Sequence, residues 1–189
     1  MENEIILEGH KIRYKLFKRN VKYARLEFRS GELFVIVPPG YKDINNLLKK
    51  KAKWILNKEN QIKDISKNGL QKKLIFRDYN KWKKIVFKIA KQYSKKLNLY
   101  YKNIYFKTMT GKWGSCSGKG NITINNNLQY LPINLLKYIL YHEILHLKIK
   151  KHNKLFFEIL NKKFKDVKKI ERELFEYWFA VRKNICKKI

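Results

Sequence analysis

Cysteine, histidine, arginine and acidic residues are all scarce in this 189-residue chain, and no long uncharged apolar run occurs. The two cysteines, Cys116 and Cys186, stand far apart. They form no disulfide framework and read as free thiols of a reducing compartment. No window approaches the roughly 18 uncharged apolar residues of a membrane span. The first nine residues hold three glutamates and only a four-residue apolar stretch, so the basic flank and long apolar run of a signal peptide are missing. A cytoplasmic location without membrane attachment is expected. Asp and Glu number only 15 against 45 Lys and Arg, which leaves a formal charge of +30.

What is present describes a folded chain. Hydrophobic residues make up 44% and aromatic residues 14%, too much apolar surface for a disordered polymer. The length is that of an ordinary domain that needs no structural staple. The charge invites binding to non-specific nucleic acid or another polyanion by counterion release. An inert explanation competes: 38 of the 45 cations are lysine, and 18 Asn and 22 Ile accompany them, a pattern of A- and T-rich codons.

The periodicity predicts an α+β fold. Strand-like alternation runs through Ile12, Tyr14 and Leu16, then Leu26 and Phe28, then Leu33, Val35 and Val37, with a turn at Ser30-Gly31 and a stop at Pro38-Pro39-Gly40. A small antiparallel sheet is expected. Helical spacing follows from Asp43, a plausible N-cap, to Gly69 as terminator, and again from Asp78 to Leu97. The polar stretch Lys67 to Arg77 suggests a boundary, with residues 1–75 as a β-rich segment plus helix and 76–189 as a core unit, or one compact whole. In that core, strands are expected over Ile104 to Met109 and Asn121 to Asn125, with a glycine-rich loop between them. The second strand is expected as an edge able to pair with an extended peptide. Three helices follow, near Pro132 to Lys150, Asn153 to Phe164 and Val167 to Asn184.

Three of the four histidines, His142, His146 and His152, fall within eleven residues, in Tyr141-His142-Glu143-Ile144-Leu145-His146-Leu147-Lys148-Ile149-Lys150-Lys151-His152. This contains H-E-x-x-H. With Pro132 in the first turn, Leu135, Ile139, His142 and His146 fall within about 60° of an otherwise apolar helix face. The i, i+4 imidazoles then converge as two zinc ligands require. Glu143, on the flank of that turn, is placed as general base toward an activated water. An unbroken helix would carry His152 about 120° around and 9 Å beyond His146, so the helix must end between them if His152 is the third ligand. Asn153 can then cap the next helix. Glu158 is the alternative third ligand. The glycine of the metzincin turn is replaced by Ile149.

Trp113-Gly114-Ser115-Cys116-Ser117, Gly120-Asn121-Ile122-Thr123-Ile124-Asn125, Leu131-Pro132, and His142-Glu143-Ile144-Leu145-His146 with His152 together resemble the YgjP-like zinc metallopeptidases, relatives of the SprT-like and WLM groups of small zincins. Arg25 to Pro38 also resembles that family's strand-turn-strand segment. The resemblance implies a compact zincin-like core in which His142, His146 and His152 hold one Zn2+ and Glu143 is the catalytic base. Asn153 departs from the serine expected after the third histidine but keeps its capping chemistry. For the Trp113–Ser117 loop two readings stand. Either Trp113, Ser115 and Ser117 touch substrate, or the loop is a tight connection anchored by Trp113. Cys116 is a weaker candidate ligand, since a catalytic zinc with three histidines keeps its fourth position for water. The expected activity is peptide-bond hydrolysis of a peptide or protein substrate. The alternatives are a metal-dependent nucleotide or phosphoanhydride hydrolase and a nucleic-acid-associated protein with the same site.

Overall fold

A computed structural model describes residues 2–185; Cys186 lies outside the described residues. The chain divides into two units, Met1–Lys67 and Asn68–Ile189.

The first unit begins with β1 (Glu2–Leu7), β2 (His10–Lys18), β3 (Arg25–Arg29) and β4 (Glu32–Val37). Both tight turns, Glu8-Gly9 and Ser30-Gly31, hold two successive positive φ angles, the backbone twist that a two-residue hairpin needs. The sheet order is β1-β2-β4-β3. It is mixed rather than wholly antiparallel, because β2 and β4 run parallel, with Leu16 opposite Val35. Alternation reveals which face a side chain takes but not strand direction, and residues 19–24 are long enough to skip a strand position that β4 then fills. The β1 strand, whose alternation is weak, pairs along β2 from Glu2 to Leu7.

The expected single helix after Asp43 is two, α1 (Ile44–Lys50) and α2 (Ala52–Leu70), broken at Lys51. Asp43 caps α1 as predicted, accepting from the Asn46 amide at 3.2 Å. Leu48, Ala52 and Ile55 close a core over Ile12, Leu33, Val35 and Val37. The division between units falls inside α2, and its last residues belong to the second unit. Gly69 is not a terminator. It lies within the helix, and a Cβ there would stand 2.4 Å from the Glu176 carbonyl oxygen, so glycine serves close approach.

In the second unit α3 (Tyr79–Leu97) buries Trp82, Val86, Ile89, Ala90 and Tyr93 along one stripe. Asp78 caps its start and left-handed Asn98 its end. A three-stranded sheet, β5 (Ile104–Lys107), β6 (Gly114–Cys116) and β7 (Ile122–Asn125), has the order β5-β7-β6. The expected edge strand is thus the central one. The loop that the glycines suggested contains β6, which pairs antiparallel with β7 and takes the edge. A 3-10 turn, Asn126–Tyr130, leads to α4 (Ile133–Leu145), followed by α5 (Lys154–Lys163) and α6 (Val167–Asn184). Among the described residues no helix is long and apolar enough to cross a membrane.

Candidate active site

The α4 helix is the centre of its unit. Leu135, Leu136, Tyr138, Ile139, Leu140, Tyr141, Ile144 and Leu145 are all buried and only Asn134 and Lys137 are exposed, so the helix is enclosed over most of its surface rather than along its histidine face alone. It ends earlier than expected, at Leu145 with His146 as its C-cap. The Ile149 amide returns to the Leu145 carbonyl at 3.0 Å and closes the turn. Asn153 caps α5, its side chain accepting from the Phe156 amide at 3.0 Å. His152 therefore sits in the bend between two helices, where the spacing required it.

This bend brings three imidazoles together. The His142 Nε2 lies 3.2 Å from the His146 Nε2 and 2.9 Å from the His152 Nε2. The His146 Nδ1 is 2.9 Å from the Ile149 carbonyl oxygen. A carbonyl only accepts, so Nδ1 carries the proton and Nε2 presents a lone pair to the other rings. Burial holds His142 down at about 3, with the neighbouring His146 and His152 charges adding to the effect. It is therefore neutral at physiological pH, the ligating form. With the other two rings in the same tautomer, three lone pairs would face one point, an arrangement that a cation among them relieves. Two nitrogens bound at 2.0–2.1 Å to a tetrahedral zinc would stand about 3.3 Å apart, so the observed separations fit such an ion to within a few tenths of an ångström. The donor set, three imidazole nitrogens, suits zinc. Among the described residues these three histidines form the sole grouping of this kind. Glu158 is not in it; its carboxylate lies 4.0 Å from the Lys154 ammonium, half exposed.

Phe156 is the floor of the cluster and was not singled out by the sequence. It is fully buried, with its ring centroid 4.7–4.9 Å from all three imidazoles. It stacks on His146 and meets the other two edge-on. The signal for it was local: it stands four residues after His152, one turn into a helix capped by Asn153.

Glu143 is 5% exposed. Burial pushes its carboxyl up to about 7, while the Lys112 charge pulls it back. A base with a pKa near neutrality is matched to proton transfer at physiological pH. The carboxylate lies directly under β6: a Cβ on Gly114 would stand 2.7 Å from Glu143 Cγ and 2.8 Å from Oε1. Only glycine admits the base at this depth. The loop that carries Lys112 and leads into Gly114 is held by Asn125, which is fully buried. Its Nδ2 donates to the Met109 and Lys112 carbonyls, each at 2.8 Å. Its Oδ1 accepts from the Asn127 amide at 3.1 Å.

The remaining predicted residues separate. Trp113 belongs to the core, with its Nε1 donating to the Leu174 carbonyl and its ring edge-on to Trp178 at 4.9 Å. These are the contacts of the anchoring reading. Ser115 is half-buried on β6, opposite Thr123. The Ser117 hydroxyl accepts from the Asn121 amide at 3.1 Å and closes a turn. Cys116 is a half-buried free thiol outside the histidine cluster. Burial raises its pKa, with Lys150 lowering it and Glu143 raising it further, so it is held as a thiol rather than a ligating thiolate.

Residues 66–177, 112 of the 189, match the family described as YgjP-like, metallopeptidase domain. Among solved structures, the chain is similar to the metallopeptidase zymogen of Pyrococcus abyssi abylysin, at 24% identity over 47% of this chain and 90% of that one, with a TM-score of 0.43. It is also similar to the metallopeptidase zymogen of Methanocaldococcus jannaschii jannalysin, at 30% identity over 55% and 97%, with a TM-score of 0.42. No functionally curated protein matches it.

Proposed function

Because the chain belongs to the YgjP-like metallopeptidase family, and so is a metal-dependent hydrolase of peptide bonds, we propose that His142, His146 and His152 hold one zinc ion through Nε2 and that Glu143 is its general base. The observation that carries this reading is the convergence of three Nε2 atoms at the end of the helix in which the buried Glu143 directly follows His142. Zinc, when bound, supplies a Lewis acid for the scissile carbonyl and lowers the pKa of water. Glu143 accepts a proton from the attacking water at its carboxylate and, as the carbon–nitrogen bond breaks, returns that proton to the leaving amine. Phe156 packs against all three imidazoles from beneath, and the Ile149 carbonyl holds the His146 tautomer.

The unpaired edge of β6 supports a peptide substrate. A strand paired on one side only, lying over the base, can align an extended backbone by main-chain hydrogen bonds. A phosphoanhydride has no use for such an edge. The half-buried free thiol of Cys116 accords with a reducing, cytoplasmic setting.

Metal analysis of the purified chain should give one zinc per chain. Glu143→Gln should keep that zinc and lose about 10²–10⁴-fold in hydrolysis of an unfolded polypeptide, whereas His142→Ala should lose the metal. Nucleoside triphosphates should not be turned over. Undiminished hydrolysis by Glu143→Gln, or unchanged zinc in His142→Ala, would overturn the assignment.

A further inference from the structure

Asp78 and Glu143 are separated by 64 residues that contain twelve lysines and no aspartate or glutamate. Codon bias alone would thin acidic residues evenly, yet residues 1–67 of the same chain hold eight of them. The acid-free stretch includes α3, β5, β6 and β7. Among the described residues, none of the lysines from 81 to 151 takes part in an ion pair; the nearest in sequence that do are Lys72 and Lys154.

On α3 these charges are ordered. Lys84, Lys88, Lys91 and Lys95 are all exposed. At 100° per residue they fall within about 60° of arc, a straight row about 16 Å long. Like charges at i, i+3 and i, i+4 repel along a helix, and no carboxylate relieves them here. Phe87 flanks the same row and is 45% exposed. It meets the Phe106 ring of β5 edge-on at 5.7 Å. The Lys83 ammonium lies 5.3 Å over Phe106 and 4.8 Å over Tyr79, so cations and aromatic rings alternate across the surface.

We propose that this face of α3, Lys84, Lys88, Lys91 and Lys95 with Phe87, is a docking surface for single-stranded nucleic acid. Lysines act as point charges that meet phosphates without reading sequence. An exposed ring beside them offers a stacking platform that only unpaired bases can use. Duplex nucleic acid and lipid headgroups would satisfy the charges but leave the exposed part of the Phe87 ring, beyond its Phe106 contact, unused.

The test compares two triple variants of the full chain with equal charge change. Lys84→Glu/Lys88→Glu/Lys91→Glu alters the row; Lys49→Glu/Lys53→Glu/Lys63→Glu alters exposed lysines of the first unit. Binding of a labelled dT20 oligonucleotide is followed by fluorescence anisotropy between 50 and 300 mM salt. The row variant should lose more than about tenfold in affinity, and its log-log salt slope should fall by about 2, at about 0.7 per phosphate contact. The first-unit variant should stay within about twofold of the parent. Phe87→Ala should weaken dT20 about fivefold or more while leaving a hairpin duplex unchanged. Circular dichroism confirms folding of each variant. Equal losses in both triples would reduce the effect to net charge and overturn the proposal. So would the absence of dT20 binding at 150 mM salt, or a stronger dependence of phosphatidylserine vesicle binding than of dT20 binding on the same row.

Discussion

The two units of this chain manage polarity in opposite ways. Among the described residues, the buried polar and charged side chains are Ser94, Asn125, Asn127, Glu143 and Glu176, and all five lie in the second unit. The core of the first is wholly apolar, and several of its carboxylates sit outside in ion pairs. Glu4 meets Lys11 at 2.5 Å and Arg13 at 3.0 Å, Glu32 meets Lys15 at 2.8 Å, and Glu27 meets Arg25 at 2.7 Å. Burying a polar group costs free energy unless each of its hydrogen bonds is recovered. The second unit carries that cost in part where it positions a base and its loop, through Glu143 and Asn125; the first unit shows no such cost among the described residues.

The sharpest way to break this contrast is at Gly114. Gly114→Ala would force a Cβ into the Glu143 carboxylate, at 2.7–2.8 Å from its atoms. Glu143 or β6 must then move by several tenths of an ångström or more. We expect hydrolysis to fall about a hundredfold, since misplacement of about 1 Å costs that much, with zinc content unchanged. Gly118→Ala, whose Cβ would meet nothing within 4 Å, should leave hydrolysis as it was. Equal kinetics for the two variants would show that β6 does not press on the base.

In the first unit the corresponding expectation is a loss of stability without a loss of chemistry. Ile55 is fully buried among Leu48, Ala52 and the β4 residues. Ile55→Ala should destabilise by about 2–5 kcal/mol in urea denaturation. Zinc content and kcat of the folded protein should hold. A kcat that falls with stability would mean that catalysis draws on the first unit.

The contrast also explains what could be read in advance. The surface–core alternation of β2 and β4, the caps Asp43, Asp78 and Asn153, and the His142–His146 pair obey local rules, so residue spacing alone revealed them. The break that frees His152 could be inferred as well, because two geometric demands conflicted on a straight helix. The parallel pairing of β2 with β4 and the central position of β7 depend on which distant segments meet, and periodicity holds no record of that. β6 was hidden because its glycine serves a neighbour, Glu143, rather than its own backbone. Gly69 misled for the same reason, since its partner is the Glu176 carbonyl of α6. Asn125 looked like one more asparagine in a chain with many. Only its zero exposure and three side-chain hydrogen bonds distinguish it.

The mildest comparison sets one ion pair of each unit side by side. Lys72, in the connection between α2 and α3, lies 3.0 Å from Glu176 and 3.5 Å from Glu173. Its pKa is raised: burial works against the charge, but the hydrogen bond and charge of Glu176 outweigh it. Glu176 is 8% exposed and, without Lys72, keeps only Arg172 at 3.4 Å. Lys72→Met preserves the aliphatic stem and leaves a nearly buried carboxylate half-satisfied, so the second unit should lose about 1–3 kcal/mol. Arg13 and Glu4 are 76% and 43% exposed in their pair, and Glu4 still has Lys11. Arg13→Ala should therefore leave the urea midpoint within error. Salt separates the two further. Added NaCl at 0.5 M screens the exposed pair almost completely and reaches the buried one little, so the difference between Lys72→Met and its parent should persist there. If that difference vanished in salt, Glu176 would behave as a solvated surface charge, and the second unit's claim to a costly polar interior would rest on Ser94, Asn125, Asn127 and Glu143 alone.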